Sequence, residues 1–386
     1  MVRIFDTPLC EIQRETLEKA GVDLVEEPPK DEPYILISDR IWFTYPLIEL
    51  LKKHRGRLCI KDSNWHVAMH PLQELGPQQA YDIAVLEAGE APQFDGLPLI
   101  FPDLEFREGE PLELHEAMRH ALRPVCLSPY MAHHIDHWSH ILRVNQIAII
   151  AQAEETRYRW RKGGFFAKIG MVLGFLWRIR SFSKRTMLAR IGEVGKNCKI
   201  HPTAVIEACK IGDNVEIGPH AVVRASVIGD GAKIDEHTSV NLSVIGKKAR
   251  VGRAAIANLS VLYPNVMLSY GQGFQGCLFG EGAFIAIGVV ALDLSFGKPI
   301  RVENNGEWVD SGMHFLGIAV GHRAALGNGA RFNYGVSIPN DALLVGPKDG
   351  LYKDASQAPP KAPSHCVDGK AVRLSKQRSK NEKGGD

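Results

Sequence analysis

Residues 211–261 read IGDNVEIGPHAVVRASV, IGDGAKIDEHTSVNLSV and IGKKARVGRAAIANLSV, three consecutive segments of seventeen residues. Within each segment the large apolar residues recur at steps of six, six and five, as at Ile211, Ile217 and Val223. This repeat is typical of a parallel β-helix, in which each coil has three short strands and the periodic residue points inward. The sequence therefore predicts a parallel β-helix.

The same register extends on both sides of these segments. It begins at Val194 and, after an interruption, resumes as regular hexads from Val320 to Leu344. The interruption, residues 296–313, contains an Asn-Asn-Gly turn signal and predicts a β-hairpin ejected from one coil. We place the β-helix at residues 193–348, with the hairpin insertion at 296–313.

Residues 1–153 alternate strand-like and helix-like segments, the pattern of an α/β domain, for which we expect a mainly parallel sheet. Thr7 and Pro8 are predicted as the N-cap and first residue of a helix that ends at Gly21.

Four histidines, His133, His134, His137 and His140, crowd into the end of this domain. Helical spacing would allow a metal ion to bind them. We favour a solvated helix N-terminus instead, since no second cluster of ligands accompanies them.

Residues 154–192 form a basic amphipathic linker. Between Arg157 and Arg190 the chain has ten Lys or Arg and no Asp or Glu. The apolar stretch 165–177 is too short to span a bilayer and long enough to lie in its surface. If this stretch binds an anionic membrane surface, the contacting side chains would be Phe165, Phe166, Leu173 and Trp177. The alternative is that it forms a helix that docks on the protein itself. Residues 349–386 have little apolar content and are predicted to be a disordered tail.

Composition narrows the class of protein. The chain has 386 residues, 45% of them hydrophobic and 23% charged, which suits two folded domains. A formal charge of +2 gives no reason to expect nucleic acid as a partner. Seven scattered cysteines without a CxxC argue against a disulfide framework and a thiolate metal site. With neither a signal peptide nor a membrane span in the sequence, we expect a cytoplasmic protein, peripheral on the inner membrane face if the linker binds lipid.

The two halves together resemble the sugar-1-phosphate nucleotidylyltransferases, including the bifunctional uridylyltransferase/glucosamine-1-phosphate acetyltransferase. The phrase Trp138–Asn145 is similar to the family's entry into its linker, and 293–302 with 306–312 resembles its hairpin insertion. The resemblance implies a nucleotidyltransferase-like first domain, a left-handed β-helix, a homotrimer and a sugar-type substrate. It also implies acyl-CoA or a nucleotide sugar as the second ligand.

Both active sites of that family look degenerate in this chain. There is no Gly-rich G-x-G-T-R-type loop with a downstream Lys to neutralise a nucleoside triphosphate, so Asp39 is the one candidate ligand for Mg²⁺ and a Mg²⁺ requirement is doubtful. Gly273 stands where the acetyltransferase has its general base, and Phe315 where the family has a basic residue. The coil histidines that could act as a base instead are His220, His237, His314 and His322. Asn241 and Asn258 share one coil position, where they would bind substrate or form a corner ladder.

Two functions fit these observations. The favoured one is a hexapeptide-repeat transferase, of the acyltransferase type rather than a nucleotidyltransferase, which acts on a phosphorylated, nucleotide-linked or lipid-linked sugar. The alternative is a non-catalytic trimeric binding or scaffold protein that keeps the fold without the chemistry.

Overall fold

The computed structural model of the chain describes residues 2–60, 72, 80–108, 126–164, 168–170, 192–346, 364–367 and 370–373. These residues form an α/β region followed by a parallel β-helix. The fold class predicted from the hexapeptide spacing is therefore confirmed.

Within the described residues, the α/β region contains three helices and ten short strands. They are β1 (Arg3–Ile4), β2 (Thr7–Pro8), α1 (Leu9–Lys19), β3 (Tyr34–Ile37), β4 (Ile41–Phe43), α2 (Tyr45–Leu51), β5 (Gly56–Cys59), β6 (Ala80–Leu86), β7 (Leu99–Ile100), β8 (Arg107–Glu108), β9 (Cys126–Leu127), β10 (Ala132–His134) and α3 (Trp138–Lys162). The central sheet has the order β3-β6-β5-β7. Its β6 strand is antiparallel to both neighbours, and only β5 and β7 are parallel.

Two predictions for this region are wrong. The sheet is not mainly parallel, because alternating apolar segments do not encode strand direction. Thr7 does not cap α1, since it pairs with Ile4 in a β1–β2 hairpin, and the helix begins one residue after Pro8. The predicted end of the helix agrees with the structure, where Gly21 has a φ of 63°.

The β-helix has three faces of stacked parallel strands. The first face contains Glu193–Val194, Lys210–Ile211, Val227–Ile228, Val244–Ile245, Val261–Leu262, Leu278–Phe279, Ala319–Val320 and Ser337–Ile338. The second contains Lys199–Ile200, Glu216–Ile217, Lys233–Ile234, Arg250–Val251, Met267–Leu268, Phe284–Ile285, Ala325–Leu326 and Leu343–Leu344. The third contains Val205–Glu207, Val222–Arg224, Ser239–Asn241, Ile256–Asn258 and Gly273–Gln275, beyond which Val290–Ala291 pairs with Arg331–Phe332.

The interior of the coil is filled by the periodic apolar residues. Ile228, Ile245 and Leu262, one period apart in the sequence, align in register and are at most 1% exposed. The inward side chains of the third face differ in size, since Ala257 lies beside Phe274. The Phe274 ring packs edge-on against Phe279. Burial of this stack is the main source of stability of the coil, because each short strand contributes only a few hydrogen bonds.

The α/β region packs against the outside of the first face. From Val227 to Ala319 the outward residues of that face are apolar and buried, and they form one cluster with residues of α3 and of the insertion. Its buried members are Leu142, Val227, Val244, Val261, Tyr263, Leu278, Ile300, Val302, Leu316 and Ala319. The outward residues of the second face begin instead with charged side chains, such as Lys199, Glu216 and Lys233, which pair with one another across the coils.

The C-terminal segment contains one strand pair, Ser364–Val367 with Lys370–Arg373. The prediction that 349–386 is disordered is therefore wrong for these residues. The two residues between the strands are Asp368 and Gly369, a dipeptide that favours tight hairpins and that the composition argument overlooked. In the part of the chain that the structure describes, no helix has the length and apolar character needed to cross a membrane.

Candidate functional site

The coil opens at one place, where the chain leaves the third face after Ala291 and returns at Ile318. Residues 296–313, which interrupt the hexapeptide register, contain the antiparallel hairpin Arg301–Asn304 with Glu307–Asp310. At the base of this insertion Leu294 pairs with Phe315. The Ser295 N–H donates to the His314 carbonyl at 2.8 Å, and His314 is partly buried.

The return into the coil needs a glycine at Gly317. A Cβ atom at this position would lie 2.3 Å from Cys277 Sγ and 2.5 Å from the Gln275 carbonyl oxygen. This contact seals the interior directly beneath the opening, because Cys277 is fully buried. Burial raises the pKa of the Cys277 thiol to about 12, so this thiol is not a nucleophile.

A carboxyl group lies at the other edge of the opening. Asp293 is in register with Leu316, whose N–H donates to the Asp293 carbonyl at 2.8 Å. Partial burial raises the pKa of the Asp293 carboxyl, and a hydrogen bond from Gln275 opposes this. Since residues alternate sides along paired strands, the pairing places His314, Ser295 and Asp293 on one side of the insertion base.

His322 has a structural role in one corner of the coil. In this corner a side chain of one coil accepts the backbone N–H of the preceding coil: Lys196 N–H donates to Asp213 and Asp213 N–H to Asp230. His322 does the same, since its Nδ1 accepts the Glu281 N–H at 2.9 Å. Neutral His322 therefore carries its proton on Nε2, where it can donate but cannot act as a base. Burial also lowers its pKa.

The corner ladder is completed from outside the coil. By the same pattern, the acceptor for the Lys247 N–H would be the side chain of residue 264, one period later, but Pro264 has no side-chain acceptor. Asp6, in the β1–β2 turn, takes this place and accepts the Lys247 N–H at 2.7 Å. Beside it the Arg3 N–H donates to the Tyr263 hydroxyl at 2.9 Å. The N-terminal hairpin is thus hydrogen-bonded to the coil.

Asn145 of α3 anchors that hairpin. Its Oδ1 accepts the Phe5 N–H at 2.9 Å, and its Nδ2 donates to the carbonyls of Arg3 at 3.1 Å and Ile141 at 2.9 Å. Only 1% of Asn145 is exposed. The sequence marks this residue only as the end of the phrase that resembles the family's linker entry.

His220 and His237 lie together on an exposed corner between the second and third faces. Their rings stack with centroids 5.2 Å apart and planes inclined by 13°. Both residues have φ near 58°, and the His220 N–H donates to the Thr203 hydroxyl. The neighbouring carboxylate, Glu236, pairs with Arg253.

Asn241 and Asn258 form a ladder on the third face, with Asn241 Nδ2 donating to Asn258 Oδ1 at 2.8 Å. A serine column runs beside it, in which each hydroxyl accepts the N–H one period later, from Ser226 through Ser243 to Ser260. Both asparagines are partly buried, and one face of the amide ladder stays open to solvent.

Asp39 lies apart from the coil histidines, in an exposed turn that follows β3. The carboxylates nearest along this edge, Asp82 and Asp136, are already paired with Arg40. No group of three or more His, Cys, Asp or Glu residues suited to a metal ion occurs among the described residues.

The prediction of a solvated histidine cluster is wrong. His133, His134 and His140 are at most 7% exposed, because His133 and His134 lie in β10 and His140 in the first buried turn of α3. Burial lowers the pKa of His133 and His134. His137 caps α3, a role that the sequence did not indicate.

The residues predicted to meet a membrane, Phe165, Phe166, Leu173 and Trp177, lie outside the described residues. The α/β region has a cavity of about 320 Å³ next to the start of the linker. Two of its lining arginines, Arg157 and Arg161, pair with Glu154 and Glu105, which also line it. The charges of these pairs balance, so the cavity does not select an anion.

An apolar band covers the outside of the coils next to the opening. Its members lie on the second face, on the third face and on the corner between them, and each is more than a third exposed: Ile256, Met267, Tyr270, Phe284, Ile287 and Val290. Gly273 pairs with Ile256 and leaves a notch in the band where a side chain is missing. Exposed apolar surface of this extent marks an interaction site.

The coil has the architecture of the hexapeptide-repeat β-helix proteins. Within that class, residues 184–272 match the family model described as GMPPB C-terminal domain. The match covers less than a quarter of the chain and agrees with the resemblance to the nucleotidylyltransferase and acyltransferase superfamily. A comparison with curated proteins gives no significant match.

Several solved structures are similar to the coil. A perosamine N-acetyltransferase mutant from Caulobacter crescentus, in complex with CoA and GDP-perosamine, is 21% identical with a TM-score of 0.21; the match covers 46% of this chain and 61% of that one. A UDP-N-acetylglucosamine acyltransferase from Campylobacter jejuni is 16% identical with a TM-score of 0.21, over 39% and 70% of the chains. The polysialic acid O-acetyltransferase OatWY is 18% identical with a TM-score of 0.18, over 39% and 73%. Identities and TM-scores this low say nothing about the substrate or catalytic residues of this chain.

Proposed function

We propose that this protein is a hexapeptide-repeat acyltransferase that acts on a sugar-type acceptor, with His314 as the general base. The observation that carries the proposal is the position of His314, partly buried at the one opening of the coil within the described residues. The family-model match and the sequence resemblance support a substrate related to sugars.

His314 suits the role better than the other candidates. His322 uses Nδ1 in the corner ladder, and its Nε2 carries the proton. His220 and His237 stack on an exposed corner. His314 is partly buried at the base of the insertion, where its carbonyl accepts the Ser295 N–H and its imidazole stays available as a base.

The chemistry needs little beyond a base. An imidazole nitrogen of His314 removes the proton from an acceptor amine or hydroxyl as this attacks the thioester carbonyl of acyl-CoA. The new C–N or C–O bond forms, the C–S bond breaks, and the proton passes to the departing thiolate. Asn241 and Asn258, with the open side of their amide ladder, are proposed to bind sugar hydroxyls.

We also propose that the protein is a homotrimer, with the apolar band of each chain covered by a second copy. The band lies beside the opening, so a neighbouring copy would close the substrate site. A mass near three times 42.7 kDa in sedimentation equilibrium supports this, and Phe284→Asp should lower the mass to one chain. A monomeric wild-type protein would overturn it.

The test of the activity uses acetyl-CoA and a panel of phosphorylated, nucleotide-linked and amino sugars, with release of the CoA thiol as the readout. We expect His314→Asn to lower the rate by roughly 10²–10⁴-fold. His201→Asn, an exposed coil histidine, is the matched control and should keep the wild-type rate. Equal rates for His314→Asn and wild type would exclude His314. No transfer by wild type to any acceptor would favour the scaffold alternative.

The same preparation tests two further expectations. Without a phosphate-binding loop, incubation with a nucleoside triphosphate and a sugar-1-phosphate should release no pyrophosphate. We propose that the basic linker binds an anionic membrane surface, which would bring the enzyme to lipid-linked sugars. Sedimentation with anionic vesicles that is lost at high salt and in Phe165→Asp supports this, whereas a protein that never sediments contradicts it.

A further inference from the structure

His137 joins the α/β region to the insertion. The residue is the N-cap of α3, and its ring lies between the helix and the hairpin strand Arg301–Asn304. Nδ1 accepts the Ser139 N–H at 3.2 Å and lies 2.8 Å from the Ser139 hydroxyl. Nε2 lies 3.1 Å from the Glu303 carbonyl oxygen, to which it donates. One neutral tautomer satisfies every contact, with the proton on Nε2.

The insertion transmits this contact to the opening of the coil. Glu303 pairs with Trp308 in the hairpin. Closer to the base the Ile300 N–H donates to the Met313 carbonyl at 2.7 Å, and His314 is the next residue. The hydrogen-bonded ladder is therefore continuous from the Glu303 contact to His314. The insertion also packs on α3 through Ile300 and Val302, both fully buried.

We propose that His137 is a positioning residue that fixes the insertion, and with it His314, against α3. This inference rests on the proposed function only for its effect on catalysis, since the contact itself is independent of activity. Protonation places a hydrogen on Nδ1, which can then no longer accept the Ser139 N–H, whereas Nε2–H still donates to the Glu303 carbonyl. The contact between the ring and the insertion is therefore expected in both protonation states.

The surroundings of His137 favour the neutral form. Burial lowers its pKa, and the Glu303 carbonyl and carboxylate oppose this. The His140 ring lies 6.1 Å away on α3 and the Trp138 ring 5.3 Å away. Asp136, the residue before it, is paired with Arg40 and the Glu303 carboxylate accepts the Gly306 N–H, so both of these charges have other partners. Protonation of the ring is therefore expected only as the pH falls below the ordinary histidine value of 6.5.

Two substitutions separate the functions of the ring nitrogens. Asparagine places its polar atoms near the Nδ1 position and keeps the helix cap, but it does not reach Glu303. Glutamine reaches the Nε2 position and can donate to the Glu303 carbonyl, and it does not titrate. His54→Asn, at the end of α2, is the matched control, because its ring contacts only the Leu50 carbonyl.

The experiment is hydrogen exchange of the amides in 301–310, corrected for intrinsic rates, at about pH 7.5 and about pH 5.5. We expect His137→Asn to exchange about five-fold faster than wild type at both pH values, the effect of one lost hydrogen bond. Wild type, His54→Asn and His137→Gln should be protected at both. In the transfer assay, His137→Asn should lower kcat and leave KM unchanged.

Wild-type protection in His137→Asn, or lost protection in His137→Gln, would overturn the proposal. Absence of transfer activity with the expected exchange pattern would instead overturn only the proposed function, because exchange is measured without substrate.

Discussion

Replacement of Asn145 by leucine tests whether the α/β region is held to the coil by the N-terminal hairpin. Leucine has the same number of side-chain heavy atoms and the same branching at Cγ, so it removes polar atoms without opening a cavity. The Phe5 N–H and the Arg3 carbonyl lose their partner, whereas the Ile141 carbonyl keeps the helical hydrogen bond to residue 145. Each orphaned group costs about 1–3 kcal/mol when buried. Because both lie in a partly buried hairpin, we expect a total loss of about 2 kcal/mol.

Circular dichroism at a helix-sensitive wavelength follows this loss, since the described helices α1, α2 and α3 all lie in the α/β region. For a unit of about 150–250 residues, about 2 kcal/mol lowers Tm by roughly 4–8 °C. The Lys247 amide should also lose protection from exchange, because Asp6 leaves the corner ladder with the hairpin. Gln152→Leu, on the exposed side of α3, is the control. An unchanged Tm and an unchanged Lys247 amide in Asn145→Leu would refute the reasoning.

Three further predictions test the coil and its corner. Ile245→Asp buries a charge in the fully enclosed interior and should cost several kcal/mol in chemical denaturation, whereas Leu343→Asp, at a 73% exposed position outside the apolar band, should leave stability within about 0.5 kcal/mol. Burial raises the pKa of Asp6 above its ordinary 3.8, so ionisation of this carboxyl lowers the stability of the fold as the pH rises through that range. In denaturant titrations at neutral pH, Asp6→Asn should therefore be at least as stable as wild type, and Asp6→Ala should be less stable. In native protein near pH 8, iodoacetamide should modify exposed Cys10 and spare buried Cys277, whose pKa is about 12. After unfolding both thiols should react, and mass spectrometry of the peptides distinguishes them.

The coil could be predicted from the sequence because its geometry repeats in every turn. A seventeen-residue period places Ile228, Ile245 and Leu262 in one column, and the structure buries all three. The same periodicity predicts the interruption at 296–313, since a segment without inward apolar residues cannot form a coil. The coarse fold follows from spacing alone, because each coil contacts only its neighbours.

The α/β region was harder to predict because its pairings are non-local. The apolar segments that form β3, β5 and β6 are visible in the sequence, but which strands pair, and in which direction, depends on the tertiary fold. The buried histidines show the same limit. A polar residue in β10 or in the first turn of α3 looks exposed in the sequence, and only the packing of these elements makes His133 and His140 part of the core.

The candidate site could be predicted only in part, for a different reason. The sequence supplied His314 and His322 as equivalent candidates, and only the hydrogen bond from the Glu281 N–H distinguishes them.

The sequence did contain a signal for the docking of the α/β region on the coil. In the middle coils of the first face the outward residue is apolar, as in Val227 and Val244, whereas in the first four coils of the second face it is charged, as in Glu216 and Lys233.

This difference between the faces explains how the two parts of the chain act on each other. An outward column of apolar residues would be unfavourable in water, and on the first face it is buried by Leu142 of α3 and by Ile300 and Val302 of the insertion. The insertion is therefore held between the coil, from which it projects, and α3, whose N-cap residue His137 contacts it. The α/β region thus holds this segment against the coil through α3. Substitutions in α3 at positions that do not contact substrate should then change the position of His314 more than equally buried substitutions in the β3-β6-β5-β7 sheet.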